Sequence, residues 1–257
     1  MDALLAIDGL SMVFGGLRAV DKLDMAVMPG TIHSLIGPNG AGKTTVLNVV
    51  SGFYKPTGGT VLFNGVPIQG KVSSTISRLG LGRTYQNVRL FKALTVLENV
   101  QVGMYSHIRE GIAGTVFRTP HFHKVNRQVR EECLELLRPV GLHDKADFKA
   151  SNLSYGQQKV VEVARALAQK PKMLLLDEPA AGLNASETVE LSKLVRSLVE
   201  RGITILQIEH NMRFVMNLSD RITVLNFGKK VAEGVPSEIQ VDEGVIEAYL
   251  GKRRAYA

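Results

Sequence analysis

The sequence predicts an α/β fold: a parallel sheet covered by helices, an antiparallel β part near the N-terminus, and a helical subdomain set into the middle. Three observations predict it. Gly37-Pro38-Asn39-Gly40-Ala41-Gly42-Lys43-Thr44 is a glycine-rich turn between a short apolar strand and a helical pattern. Beyond residue 151, apolar runs of strand length alternate with helical segments, the order that gives parallel strands joined by crossover helices. Toward the N-terminus the apolar residues recur with a period of two, as in strands with one solvated face.

The elements follow in order. Leu4–Asp8 and Leu23–Val27 alternate apolar and polar residues. Thr31–Ile36 is a short apolar strand that runs directly into the glycine-rich turn, and Thr44–Ser51 is helical up to Gly52. Thr60–Phe63 reads as a strand, and Asn64-Gly65 before Val66–Ile68 signals a hairpin because both residues tolerate positive φ. Thr95–Tyr105 and Val125–Val140 carry helical patterns. The stretch between them has no clean period and is basic, with Arg109, Arg118 and Lys124 against Glu110. Gly156–Gln169, Ala185–Glu200 and Asn211–Leu218 are helical; Met173–Leu176, Ile203–Glu209 and Arg221–Asn226 are strands, and Lys229–Glu233 is a closing strand. Residues 1–86 and 151–235 are expected to form one core, 87–150 a helical subdomain, and 236–257 a tail whose end, Gly251–Ala257, frays.

The 257 residues suit one large domain, or one with a small companion. Lys and Arg total 31 and Asp and Glu 24, so the net charge is +7. That balance excludes acidic solvating tails and most disordered classes, and it admits an anionic partner such as a nucleotide, nucleic acid or acidic membrane surface. The single cysteine, Cys133, cannot form an internal disulfide, which agrees with a reducing compartment. No apolar run approaches the roughly 20 residues a membrane span needs. The N-terminal stretch has an early acid, Asp2, and no basic region ahead of an apolar core, so no signal peptide is expected. The expectation is a soluble, intracellular chain.

The glycine-rich turn fits G-x-x-x-x-G-K-[ST] in the strand–turn–helix setting that gives this pattern meaning. Glycines let successive backbone N–H groups point inward at phosphate oxygens, and the helix that follows aims its positive dipole end at them. Lys43 brings a point charge to the β- and γ-phosphates of a nucleotide, and the Thr44 hydroxyl can ligate Mg2+. Asn39, Gly40, Ala41, Gly42 and Thr45 complete the expected cradle. A second apolar run ends in paired acids, Leu174-Leu175-Leu176-Asp177-Glu178-Pro179. A parallel strand ends at the ligand-binding edge of its sheet. Asp177 is therefore placed to hold Mg2+ and Glu178 to polarise an attacking water. His210 ends a third apolar strand, where a neutral imidazole can bond a γ-phosphate or its attacking water; a capping histidine is the alternative. His121 and His123 lie two apart with no acid or cysteine beside them, so no metal site is expected there.

Together with Leu153-Ser154-Tyr155-Gly156-Gln157-Gln158, these pieces resemble the nucleotide-binding subunits of ATP-binding cassette (ABC) transporters. The resemblance covers nearly the whole chain and implies a P-loop NTPase core of the RecA-like type. Family signatures usually read Leu-Ser-Gly-Gly-Gln; here Tyr155 stands in place of the first glycine. Ser154, Gly156 and Gln157 open a helix and offer a second anion site, which in the family closes on the ATP held by the opposite subunit. Phe14 matches the aromatic residue that stacks on adenine. Gln86 matches the glutamine that reaches Mg2+ and leads into the helical insert. Ala180-Ala181-Gly182-Leu183-Asn184 departs from the family at Asn184, where aspartate is usual. Finer features are Phe14-Gly15-Gly16-Leu17, Arg118-Thr119-Pro120, Ile208-Glu209-His210-Asn211-Met212 and Ala248-Tyr249-Leu250-Gly251. They look like those of the ATP-binding proteins of branched-chain amino acid importers, with lipopolysaccharide-export ATPases as the nearest rival.

The resemblance implies an ATPase that works as a head-to-tail pair, with two ATP molecules shared between the subunits. The implied partners are transmembrane permease subunits, a second ATP-binding subunit (a copy or a paralogue) and a periplasmic or extracellular substrate-binding protein, with no nucleic acid. The implied location is the cytoplasmic face of the plasma membrane, with the chain held there by its partners. A non-transport ABC protein acting on ribosomes or DNA is disfavoured by the single cassette and the lack of a heptad array. A phosphate-loop kinase would need an acceptor-substrate site, whereas the signature and His210 suit hydrolysis.

Overall fold

The computed structural model describes residues 2–104 and 120–250. Most of the basic stretch, the expected helix end at Tyr105, Arg118-Thr119 and the tail end Gly251–Ala257 lie outside the described residues.

The N-terminal part is an antiparallel sheet. β1 (Leu5–Phe14) and β2 (Leu17–Val27) form a long hairpin that turns at Gly15-Gly16, with Phe14 paired to Leu17. β4 (Gly58–Phe63) pairs with β1, and β5 (Val66–Pro67) with β4, so the order is β2-β1-β4-β5. β1 continues well past Asp8, where the sequence pattern ends. Gly9 takes φ 58 and the register shifts between Ile7 and Leu10, so the period of two is interrupted inside one strand.

The second sheet holds β3 (Ile32–Ile36), β6 (Leu81–Arg83), β7 (Met173–Asp177), β8 (Thr204–Ile208), β9 (Arg221–Asn226) and β10 (Lys229–Gly234). Its order is β10-β9-β3-β8-β7-β6. All pairings are parallel except β10 on β9. Every residue of β3, β7 and β8 is buried, which is why these strands read as nearly unbroken apolar runs. The buried polar exceptions reach across the sheet: His33 Nε2 lies 2.8 Å from Thr223 Oγ1, and Gln207 Nε2 donates to Ser34 Oγ at 2.9 Å, while Gln207 Oε1 is buried with no partner among the described residues.

Helix α1 (Lys43–Val50) follows β3 and packs between the two sheets, in one cluster with Leu5, Leu23, Phe63 and Leu206. The short α2 (Ser73–Arg78) precedes β6. Neither α2 nor β6 is long enough to show a period, and neither is foreseen from the sequence. α3 (Val96–Met104), α4 (Pro120–Leu137) and α5 (Tyr155–Leu167) share a separate core of Val100, Cys133, Leu137, Leu142 and Ala164. α5, α6 (Ala185–Glu200) and α7 (Met212–Leu218) cover the other face of the parallel sheet, with Val163, Val195 and Phe214 against Leu174, Leu176 and Ile205. The described part of the expected tail, residues 236–250, holds two short helices. α8 (Pro236–Val241) and α9 (Glu243–Leu250) bury Ile239 and Val245 against Ile36, Val215 and Val224. Among the described residues no helix is long and apolar enough to cross a membrane.

The parallel strands bring three segments to one edge of the sheet: Gly37 after β3, Asp177-Glu178 at the end of β7, and Glu209-His210 after β8.

Candidate active site

The loop after β3 is shaped by glycines that no other residue can replace. Gly37 has φ 149, and a Cβ there would sit 2.0 Å from the Leu225 carbonyl oxygen. Gly42 has φ 103, and its Cβ would sit 2.4 Å from the Ala19 carbonyl oxygen. The second contact places β2 of the hairpin directly against the loop. Gly42 caps α1, no side chain caps that helix, and its first turn carries no acid. The positive end of the helix is therefore not neutralised by the chain itself. Lys43 folds back into the loop, donating to the carbonyls of Gly37 at 2.7 Å and Pro38 at 2.9 Å. Burial lowers the pKa of its ammonium, and the charge of Glu178 pushes it back up. Ala41 is buried, Thr45 is half-buried, and Asn39, Gly40 and Thr44 are exposed. Phe14 is exposed at the tip of β1, its ring edge-on to Tyr54 with centroids 5.2 Å apart.

Asp177 is buried at the end of β7, and Arg83 Nη2 lies 3.1 Å from its Oδ2. Desolvation raises the Asp177 pKa and Arg83 opposes the rise. Arg83 also donates to Asn48 Oδ1 and Ser51 Oγ, so it ties the end of α1 to this carboxylate.

Glu178 stands on left-handed backbone, φ 49, with its N–H bonded to the Ile208 carbonyl at 3.0 Å. Gln86 Nε2 donates to Glu178 Oε2 at 2.9 Å, and His210 Nδ1 lies 3.7 Å from Oε1. Three segments far apart in sequence therefore meet at one carboxylate. Among the described residues no group of three or more His, Cys, Asp or Glu side chains forms a metal cage. The hydroxyl of Thr44, the Asp177 carboxylate and the Gln86 amide make the sparse oxygen set that Mg2+ accepts when phosphates and water complete its shell. This donor chemistry fits the ion.

Ser154, Gly156 and Gln157 stand apart from this cluster. They line a cavity of about 620 Å3 between α5 and α6 that includes no residue of the phosphate loop. Ser154 is the N-cap of α5 in a full capping box: its Oγ accepts from Gln157 N–H, and Gln157 Oε1 accepts from Ser154 N–H, each at 3.3 Å.

The profile of the ABC transporter family matches residues 20–181, and that of the branched-chain amino acid ATP-binding cassette transporters matches 229–255. The chain is 46% identical over 250 residues to the high-affinity branched-chain amino acid transport ATP-binding protein LivG of Escherichia coli K12, covering 97% of this chain and 98% of LivG. It is 45% identical to BraF of Pseudomonas aeruginosa, with the same coverage. The chain belongs to the ABC transporter family. A crystal structure of an ABC transporter cassette in its ADP conformation superposes with a TM-score of 0.86 at 34% identity, covering 98% of this chain and all of the other. A dimeric bacterial ABC cassette matches with a TM-score of 0.76 at 26% identity, covering 90% and 98%. The chain is accordingly an ATP-binding and ATP-hydrolysing ABC subunit of P-loop NTPase fold.

The two departures from the ABC pattern now have a structural account. Tyr155 packs over Gly182: a Cβ on Gly182, which has φ 77, would lie 2.9 Å from the ring. Asn184 caps α6, its Oδ1 accepting from Glu187 N–H at 2.9 Å while Glu187 Oε2 accepts from Asn184 N–H at 3.0 Å. Asparagine is as good an N-cap as aspartate. Three further residues beside this site were given no role from the sequence: Arg83, Lys159 and Glu209, the last quoted only as a neighbour of His210. Lys159 and Glu162 are charged residues on the buried stripe of α5, a mismatch visible in the helical pattern. Glu209 follows an apolar strand directly, where a buried acid has no ordinary place.

Proposed function

We propose that the chain is the ATP-hydrolysing subunit of a branched-chain amino acid importer and works as one half of a head-to-tail pair of cassettes. The hydrolytic part rests on the convergence of Gln86 and His210 on Glu178 beside the phosphate loop. The cargo rests on the likeness to LivG and BraF. Phe14 stacks on adenine, and Asn39, Gly40, Ala41, Gly42 and Thr45 cradle the phosphates with backbone N–H groups. Lys43 leaves its loop carbonyls for the β- and γ-phosphates. Glu178 orients and polarises the attacking water, and His210 steadies the γ-phosphate. Thr44, Asp177 and Gln86 would hold Mg2+, which when bound offsets charge on the phosphates. The transition state is largely dissociative, so this chain's contribution is mainly positioning.

Ser154, Gly156 and Gln157 of one cassette serve the ATP of the opposite cassette, which is a copy or a paralogue. Residues 87–150 dock transmembrane permease subunits, residues 1–86 and 151–235 form the ATP-binding core, and a separate substrate-binding protein delivers cargo. The chain then sits peripherally on the cytoplasmic face of the membrane, and nucleic acid has no part in its work. ATP drives the cycle only by binding the closed pair more tightly than the open one. The test is assembly with the permease subunits in liposomes and measurement of labelled leucine uptake. Uptake that requires ATP and the binding protein supports the reading. Leucine-independent behaviour, with ATPase activity stimulated by lipopolysaccharide instead, overturns the cargo.

A further inference from the structure

Beyond Glu178 the backbone is gripped from two sides. Lys159 Nζ, on α5, donates to the Glu178 carbonyl at 2.7 Å and to the Pro179 carbonyl at 3.3 Å. On the other side, Glu209 accepts from Ala180 N–H at 2.7 Å. The same carboxylate accepts from His210 N–H at 3.2 Å and Asn211 N–H at 3.3 Å. Both side chains are buried: Lys159 is 6% exposed and Glu209 0%. The grip extends to Tyr155, whose ring lies 5.6 Å from the Lys159 ammonium and covers Gly182. Opposite charges thus hold residues 178–182 between the signature helix and the segment carrying His210.

A buried ammonium and a buried carboxylate are poor choices for packing alone, since apolar side chains of similar size avoid their desolvation. What they supply is direction: each bond fixes one backbone group of a strained turn whose conformation aims Glu178. We infer that Lys159 and Glu209 are positioning residues for hydrolysis, linking the Ser154 half-site to the Glu178 half-site within one chain. The inference rests on the functional reading above. Ser154 caps the helix that carries Lys159, so closure of the opposite cassette on Ser154 shifts α5, and Lys159 passes that shift to the Glu178 carbonyl. Glu209 holds His210 and Ala180 at fixed separation, so both flanks of the carboxylate move together. ATP bound in one site thereby sets the attack geometry in the other.

The test compares the unmodified chain with Lys159→Met, Lys159→Arg and Glu209→Gln, each assembled with the native partners. It reads calorimetric ATP affinity, kcat, KM and melting temperature. Lys159→Met should keep ATP affinity and KM within about twofold while kcat falls about tenfold or more. Lys159→Arg retains a donor for two carbonyls and should recover at least about half of kcat. Glu209→Gln should lower kcat with KM unchanged. A purely structural role would instead lower the melting temperature and affinity together and give no such split. Full kcat in Lys159→Met, or no recovery in Lys159→Arg, overturns the inference. If Lys159→Met does not fold, Glu209→Gln decides, and full kcat there overturns it equally. An unmodified chain that neither binds nor hydrolyses ATP would overturn the functional reading instead.

Discussion

Gln86 reaches Glu178 across 92 positions of sequence, donating its amide N–H at 2.9 Å. The bond joins the loop after β6 to the end of β7, the two elements between which the helical segment is inserted. With His210 Nδ1 3.7 Å from the other oxygen, the carboxylate is addressed on both sides. A movement of the helical segment that shifts Gln86 must therefore be felt at Glu178.

Glu178→Gln keeps the shape of the side chain and removes the charge that orients water. ATP binding should persist while turnover falls about a hundredfold or more. The variant should accumulate as an ATP-bound dimer on size-exclusion chromatography. Near-normal phosphate release in a turnover assay would show that Glu178 is not the polarising group.

Lys43→Ala acts on binding itself, because the ammonium meets phosphate before any chemistry. Losing one charge-assisted contact costs about 1.5–3 kcal/mol, roughly a 10–150-fold loss of affinity. Calorimetric titration with ATP checks this, and an unchanged affinity contradicts the placement of the phosphates.

Ser154→Arg puts bulk and charge at the second half-site and should abolish hydrolysis while each monomer still binds ATP. Mixed with Lys43→Ala chains in a verified homodimer, it should regain partial activity, since one of the two shared sites then has both a good loop and a good signature. Where the native pair is a heterodimer, the same variants belong in the assembled complex. Normal turnover by Ser154→Arg alone, or no recovery on mixing, means the signature does not act on the opposite chain's ATP.

His33 makes the fold sensitive to acid. It is 1% exposed on β3, and burial, opposed by the Glu233 charge and aided by those of Arg221 and Lys230, depresses its pKa from 6.5 to about 4. Above 6.5 it is neutral in folded and unfolded chains alike. As pH falls below that value the unfolded chain takes up a proton that the folded chain refuses. Stability is therefore present at neutral pH and lost between about pH 6.5 and pH 4, by about 3 kcal/mol in all. His33→Gln keeps a partner for Thr223 and should remove this slope. Urea unfolding of both chains at about pH 7.5 and about pH 5 should differ by about 2 kcal/mol in pH response. Parallel curves would place the acid sensitivity elsewhere.

The glycine-rich loop and the paired acids were legible because their chemistry fixes their spacing. Gly37, Gly42, Lys43 and Thr44 must occupy one turn, and Asp177-Glu178 must close one strand. The fully buried strands β3, β7 and β8 announced themselves as apolar runs for the same reason that they sit at the centre. What lay hidden depends on contacts between distant segments. Arg83 belongs to a three-residue strand with no period, and its role exists only once Asp177 and Asn48 are beside it. Tyr155 departs from the usual signature for a reason that lies in a distant segment, Gly182 beneath its ring. Helices α8 and α9 show no clear stripe in the sequence, because among the described residues Ile239 and Val245 are their two buried apolar side chains, too few in so short a stretch.

Cys133 is chemically silent. It is wholly enclosed in the helical core, and desolvation pushes its thiol pKa up to about 11. Maleimides and oxidants need an accessible thiolate, and this sulfur offers neither access nor charge near neutral pH. As the chain has no second cysteine, the natural sequence already serves as a silent background for site-directed labelling. A spin label or fluorophore on a cysteine introduced at Val241, 72% exposed on α8, would report distances between paired cassettes through a catalytic cycle without prior removal of any native residue.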